Sequence, residues 1–319
     1  MEEKKNKKSK EQKIKRTKEK KIKVQNPEPL NNGQYFRPVA DSVDHPDSPV
    51  IVIEPYTGFR RTGLLDVWEQ RNLLWFFVLR SLRGRYRPTV LGYGWIAMRP
   101  LLICSAYILV FSLMLKVTTD PIPYPLFALL GIIVFLCIAS GITATSASLI
   151  SNAGLMKKIY YPRLIAPLTS IMVSFLDFLA AMPLVIVLMV FYGITPGWQA
   201  ILTPFFLFGI VLTTFTLGII LAARAVAVRD VMLVLPVARR VLIYTMPCVY
   251  PVTLIPEKYQ AIYFLNPLAV YLQGFRWSLW NEIPPPLWSI ALATTVVLLA
   301  LVWGLRSFNR VERTMADVL

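Results

Sequence analysis

The sequence is poor in the side chains that do covalent chemistry. Its 319 residues hold one histidine, His45, and three cysteines, Cys104, Cys137 and Cys248. The cysteines all fall in apolar runs without metal-ligand spacing and read as small core residues. His45 lies between Asp44 and Asp47 in a proline-rich stretch and reads as a solvated linker residue. No metal site is expected. No Gly-x-x-x-x-Gly-Lys-Ser/Thr loop occurs, so the chain has no P-loop to cradle nucleotide phosphates. A His-Glu-x-x-His helix and an Asp-x-Asp pair are missing too. Acidic residues are sparse away from the termini, which leaves no paired carboxylates for general acid and base work. A membrane transferase acting on a lipid-linked substrate would need such groups, so an enzyme is disfavoured. The first residues form a lysine run with no apolar core, and a cleavable signal peptide is not expected.

What the chain has is apolar length. Hydrophobic residues make up 55% of it and its mean hydropathy is +0.54, against about 45 to 50% apolar residues in ordinary soluble proteins. A polytopic helical membrane protein follows. The formal charge of +16 is not spread evenly: residues 1–23 carry 12 Lys or Arg against 4 Glu, half of the total. The rest falls in short loops, as topology requires of a chain that keeps its basic loops inside. Nucleic acid is therefore not expected as a partner. Residues 1–49, lysine-rich and then proline-rich, read as a disordered cytoplasmic extension attracted to anionic lipid. Val50–Ile53 is a β-prone run expected to lie against another chain.

Six spans are predicted, with both ends in the cytoplasm. They cover about Trp95–Leu115, Tyr124–Leu149, Leu164–Tyr192, Ile201–Ala223, Val231–Tyr250 and Leu287–Leu305. Each approaches or exceeds the roughly 20 residues that cross a bilayer. Before them, Leu64–Leu82 mixes Trp68, Trp75 and many aliphatic residues with Asp66, Glu69, Arg71 and Arg80, and is predicted to be an amphipathic helix in the membrane interface. Residues 50–87 thus form a short extended segment followed by that helix, and 88–319 the spanning domain. Between the last two spans, residues 251–286 are only moderately apolar. Two short re-entrant helices are predicted there, Pro256–Phe264 and Pro267–Trp280, broken at Asn266-Pro267. An exposed loop is the other reading of that stretch.

The loop 152–163 lies between two of the longest apolar runs. Lys157, Lys158 and Arg163 place it in the cytoplasm, while Leu155, Met156, Ile159, Tyr160, Tyr161 and Pro162 are more apolar than solvation alone explains. Two readings stand: a surface on which a partner docks, or a short helix lying in the headgroups. Asp177 is the one charge in the third span, and a carboxylate there should face the protein interior or a water-filled cavity.

Several ordered motifs resemble one family. Arg85-Tyr86-Arg87-Pro88-Thr89-Val90-Leu91-Gly92-Tyr93-Gly94-Trp95 with Pro100-Leu101 resembles the entry to the first span in permease subunits of polysaccharide-export ABC transporters. That family includes exporters of O-antigen, capsule and teichoic acid. Lys157-Lys158-Ile159-Tyr160-Tyr161-Pro162-Arg163 resembles its coupling loop, and Val228-Arg229-Asp230-Val231 its loop between the fourth and fifth spans. Tyr250-Pro251, Ile255-Pro256-Glu257-Lys258-Tyr259, Leu265-Asn266-Pro267 and Gly274-Phe275-Arg276-Trp277 resemble its outer segment. The resemblance covers about residues 50–315; the lysine-rich first 49 residues and Arg99 depart from it.

The resemblance implies a homodimer working with two copies of a separate ATPase subunit, which would hold Mg-ATP; this chain would need no cofactor. The substrate implied is a polysaccharide carried on undecaprenyl pyrophosphate, most simply an O-antigen, crossing the bacterial inner membrane. Leu155–Arg163 would insert into the ATPase, with Arg229 and Asp230 as a second contact. Arg83, Arg85, Arg87 and Arg99 would attract the pyrophosphate at a lateral entrance, unless they serve only as positive-inside anchors. Glu257, Lys258 and Tyr259 would sit at the outer gate. Tyr107, Phe111, Phe135, Asp177 and Tyr244 are candidates for the channel lining, packing or helix pairing being the alternative for each. The rival functions are a teichoic-acid or capsule exporter of the same family, a permease for drugs or small lipids, and a membrane glycosyl- or acyltransferase.

Overall fold

A computed structural model of the chain describes residues 38–39, 50–51, 64–117, 119, 121–156, 161–228 and 230–318. The lysine-rich segment 1–23, His45, Lys157 to Tyr160 and Arg229 lie outside the described residues. The chain divides into two units, 1–59 and 60–319. In the first, β1 (Pro38–Val39) pairs antiparallel with β2 (Val50–Ile51), Pro38 opposite Ile51 and Val39 opposite Val50. Val50 and Ile51 of the β-prone run thus find a partner strand within their own chain.

The second unit is helical. The helices are α1 (Leu64–Glu69), α2 (Arg71–Tyr86), α3 (Trp95–Tyr107), α4 (Tyr124–Ser151), α5 (Ala153–Met156) and α6 (Ile165–Phe191). They are followed by α7 (Thr203–Ala227), α8 (Asp230–Leu242), α9 (Glu257–Tyr263), α10 (Pro267–Trp280) and α11 (Leu287–Val318). Among the described residues, five stretches are long and apolar enough to cross a membrane: Gly92–Met114, Tyr124–Leu155, Ile165–Phe191, Trp198–Ala227 and Leu287–Val311. They match the first four predicted spans and the last.

The centre is α4, buried on nearly every side. Its small residues let neighbours close in, as small residues do between membrane helices. Gly141 faces Thr214 and Ile171, and Thr145 sits against Gly218 of α7 with no room for a Cβ there. The hydroxyls of Ser146 in α4 and of Thr213 and Thr214 in α7 donate to carbonyls four residues back. These polar groups are therefore satisfied within their own helices and carry no obligation to water.

The predicted fifth span is not one helix. α8 has 13 residues, about 20 Å of rise against a hydrocarbon core of about 30 Å. Turns follow it through Tyr250, and Met246, Cys248 and Val249 in them are fully buried. Val231–Tyr250 has the apolar composition of a span but also Pro236 and Pro247, each of which removes a backbone donor. Irregular backbone at membrane depth is tolerated where protein covers it. The two short helices predicted before the last span are present as α9 and α10, broken at Asn266, whose side chain accepts from the Leu268 N–H.

The predicted interface helix also differs from expectation. It is two helices, and the longer, α2, is not amphipathic. Val78 and Tyr86 are buried, whereas Trp75, Phe76 and Leu79 are exposed. Part of its apolar surface packs on protein and part is left outward, which is what a helix held between protein and lipid needs. α2 also does not stand off from the bundle: Phe77 packs on Tyr161, with ring centroids 5.2 Å apart, and eight residues on Arg85 reaches α6 at Asp177.

The first span ends irregularly. Ile108–Met114 is π-helical and is followed by Lys116 at φ 49°.

Candidate functional site

The four arginines read as a substrate entry fall at the end of α2 and the start of α3. Arg83, Arg85 and Arg87 follow one another along the end of α2 because alternate residues there are basic, and all three are exposed. Arg99, on the first turn and a half of α3, is exposed as well. Asp177 draws part of this set together. Its Oδ2 accepts from Arg85 Nη1 at 2.5 Å, and the charge of Arg99 acts on the same carboxylate. Tyr86, buried beneath, lies against it: burial first, and then the negative Asp177, push the phenol up to about 12. Tyr86 therefore remains a protonated donor at neutral pH. Its ring in turn meets Tyr93, 5.4 Å between centroids.

Asp177 does not join the other residues read as channel lining. Tyr107 and Phe111 stack along the first span at 6.0 Å and continue to Tyr124 at 6.4 Å and Phe127 at 6.3 Å. Tyr244 lies within electrostatic reach of Tyr107 and is itself exposed. Phe135 packs half-buried against the main core, with no ring contact to this series among the described residues. The expected lining thus divides into an aromatic series near the outer segment and a charged cluster beside α2.

Arg276 was not singled out in the sequence beyond its place in a motif, yet it is the most elaborately held polar side chain described. It is fully buried in α10. Its Nη1 donates to the Pro247 carbonyl, and its Nη2 to the carbonyls of Phe127 at 3.0 Å and Cys248 at 2.8 Å. The guanidinium carbon lies 3.5 Å from the Phe127 ring centroid. One side chain thereby ties α10, α4 and the irregular stretch after α8. Gly131 makes this approach feasible, since a Cβ there would overlap the Cys248 carbonyl and crowd Nη2. The sequence signal was present: Arg276 is the only charge in Pro267–Trp280.

The two outer helices are held unequally. α10 presses on α7 so closely that Gly274 faces Phe206 and Gly209 faces Tyr271 with no space for a methyl group. Thr203 and Ser278 hydroxyls meet at 2.9 Å, and Gln199 donates to Asn281 at 2.9 Å. α9 has no buried residue. Glu257, Lys258 and Tyr259, read as gate residues, form its exposed first turn, Lys258 lying 4.8 Å from the Tyr259 ring. Behind them Tyr250 donates to the Tyr244 carbonyl at 2.7 Å and meets the Tyr263 hydroxyl at 3.1 Å.

In the loop 152–163, Leu155 is partly buried, Pro162 is buried, and Tyr161 is 4% exposed. Two side chains taken as apolar enough to await a partner are in fact used within the chain. They pack with Val67, Phe77 and Leu164 in a second core cluster. Met156 closes α5, and Arg163 is half-buried beyond it. Asp230 begins α8 and is exposed.

Apolar helices of spanning length, a broken helix stabilised from within and a charged residue partway along one span define a multi-pass membrane protein. The chain belongs to the ABC-2 type transporter family, whose profile matches residues 72–280. It is 31% identical over 249 residues to an O-antigen export system permease protein RfbA of Klebsiella pneumoniae, covering 78% of this chain and 95% of that one. A protein of the same name from Myxococcus xanthus is 26% identical over 243 residues, covering 74% of this chain and 92% of its own length.

Proposed function

We propose that this chain is the permease subunit of an ATP-driven exporter that carries a lipid-linked polysaccharide, of O-antigen type, outward across the inner membrane. The observation that carries the reading is the match along 95% of a Klebsiella O-antigen export permease; the family profile, over residues 72–280, takes in the arginine cluster, the loop 152–163 and the outer helices together. The chain acts as a homodimer of six-span subunits with both termini in the cytoplasm, α8 and the irregular stretch after it making the fifth crossing. Two copies of a separate ATPase hold Mg-ATP and bear on Lys157, Lys158, Arg163, Arg229 and Asp230.

The chemistry of the site suits such cargo. Guanidinium groups match phosphate oxygens in forked geometry, so Arg83, Arg85, Arg87 and Arg99 receive the pyrophosphate of an undecaprenyl carrier where α2 meets α6. Flat rings such as Tyr107, Phe111 and Tyr244 offer sugar faces a surface without fixed charge. Glu257, Lys258 and Tyr259 stand at the exit. Capsule or teichoic acid would suit the same surfaces.

Depletion of the chain should leave lipid-linked glycan accumulating in the cytoplasmic leaflet, and the purified protein should bring a P-loop ATPase with it. Undiminished glycan at the cell surface after depletion would refute the reading.

A further inference from the structure

Asp177 is the only acidic side chain within the five described apolar stretches of spanning length, the last of which ends at Val311. A carboxylate in that position is costly, and a leucine or serine would spare the helix the loss of hydration. Its pairing with Arg85 is also lopsided. The arginine side chain is 37% open and the carboxylate 19%, so an approaching anion meets the cation first. Only one oxygen is used: Oδ1 is buried and has no hydrogen-bond partner among the described residues. The forked match that Arg and carboxylate make in strong pairs is not formed. The Tyr86 hydroxyl is the carboxylate's other hydrogen-bonding neighbour, and around the pair stand Arg83, Arg87 and Arg99, none with an ion-pair partner among the described residues. The cluster carries far more positive charge than Asp177 balances.

We infer that Asp177 is a resident stand-in for the substrate's anion: it holds Arg85 while the transporter is empty and yields it to a phosphate or pyrophosphate group on the arriving lipid. The inference rests on the lipid-linked reading above and adds the residue that sets its selectivity. The one-point contact keeps Arg85 extended toward the cluster, so its geometry is ready before cargo arrives. A phosphate group brings more charge and a forked set of oxygens, and displaces a one-point carboxylate where a weaker anion does not. Selectivity then comes from competition, since any ligand must outdo a carboxylate already in place.

The wild-type chain in nanodiscs of neutral phosphatidylcholine tests this directly. Carbodiimide labelling of Asp177, read by peptide mass spectrometry, should rise severalfold when farnesyl pyrophosphate is added and stay level with farnesol. Asp177→Asn should bind farnesyl pyrophosphate about tenfold more tightly, and Arg85→Gln about tenfold more weakly, the scale of one partly buried charge pair. Labelling that does not rise while farnesyl pyrophosphate binds would overturn the inference, and that readout needs no variant to fold. Equal or weaker binding by a folded Asp177→Asn protein would overturn it too. An equal rise with phosphatidylglycerol or inorganic pyrophosphate would show that any anion opens the pair and would also overturn it. If neither wild type nor variant binds farnesyl pyrophosphate, the lipid-linked reading itself falls.

Discussion

A guanidinium away from water must find acceptors for its donors, and Arg276 finds three carbonyls on two other stretches of chain. The benefit runs both ways. Pro247 and Cys248 lie where no helix or sheet pairs their carbonyls, and an unmet carbonyl at that depth costs about 1 to 3 kcal/mol. Arg276→Lys keeps the charge but loses the fork, and Arg276→Met loses both. We expect the two variants to be destabilised in that order, Met the more severely, by roughly 2 to 5 kcal/mol, read as lowered thermal unfolding midpoints in detergent. Gly131→Ala should cost about 1 to 3 kcal/mol by overpacking, and its effect should shrink when Arg276 is already replaced, because both changes disturb one contact. The sequence shows a lone charge in an apolar helix and so flags Arg276. It hides the acceptors, 28, 29 and 149 residues away, since nothing in local pattern encodes distant pairing.

At the scale of elements, the outer segment divides into a fixed part and a loose one. α10 is buried along most of its length against α7, with Gly209 and Gly274 at the contact, whereas α9 is held mainly by turns and by the Tyr250 and Tyr263 hydroxyls. Amide hydrogen exchange should therefore run faster over 257–263 than over 267–280, because protection follows burial. Tyr263→Phe should speed exchange in 257–263 and leave 267–280 unchanged. The break between these helices was readable from Asn266-Pro267, which supply a cap and a residue suited to the first helical turn. The failure of Val231–Tyr250 to form one helix was harder to read. Hydropathy counts apolar side chains and is blind to where backbone groups find partners, and here a buried arginine takes the place of helical continuity. The amphipathic helix expected over Leu64–Leu82 was missed for a related reason: protein and lipid both accept Phe76, Leu79 and Val78, so apolar residues need not keep to one side.

For the whole molecule, the five long spans were legible because each is a long apolar run, and the bilayer imposes that length. The second core cluster was not, since it joins Val67 and Phe77 to Tyr161, Leu164 and Phe308 across most of the chain. That cluster has a mechanical consequence. With Tyr161 buried against Phe77, the loop 152–163 is rooted in α2, the same helix that carries Arg85. Charge reversal at Lys157 and Lys158 should uncouple the partner ATPase and leave the unfolding midpoint unchanged. Tyr161→Ala should lower that midpoint, through a loss of about 3 to 5 kcal/mol of stability if the site stays open as a cavity. ATPase assays paired with thermal unfolding would separate the two behaviours.

The π-helical stretch at Ile108–Met114 gives the first span a reserve of slack. Each surplus residue in a wound backbone is worth about 100° of rotation when it is taken up into ordinary α-helix. Tightening this stretch would swing everything beyond it around the axis, with only the coil near Lys116 left to absorb the twist. A span built so can turn like a key without sliding.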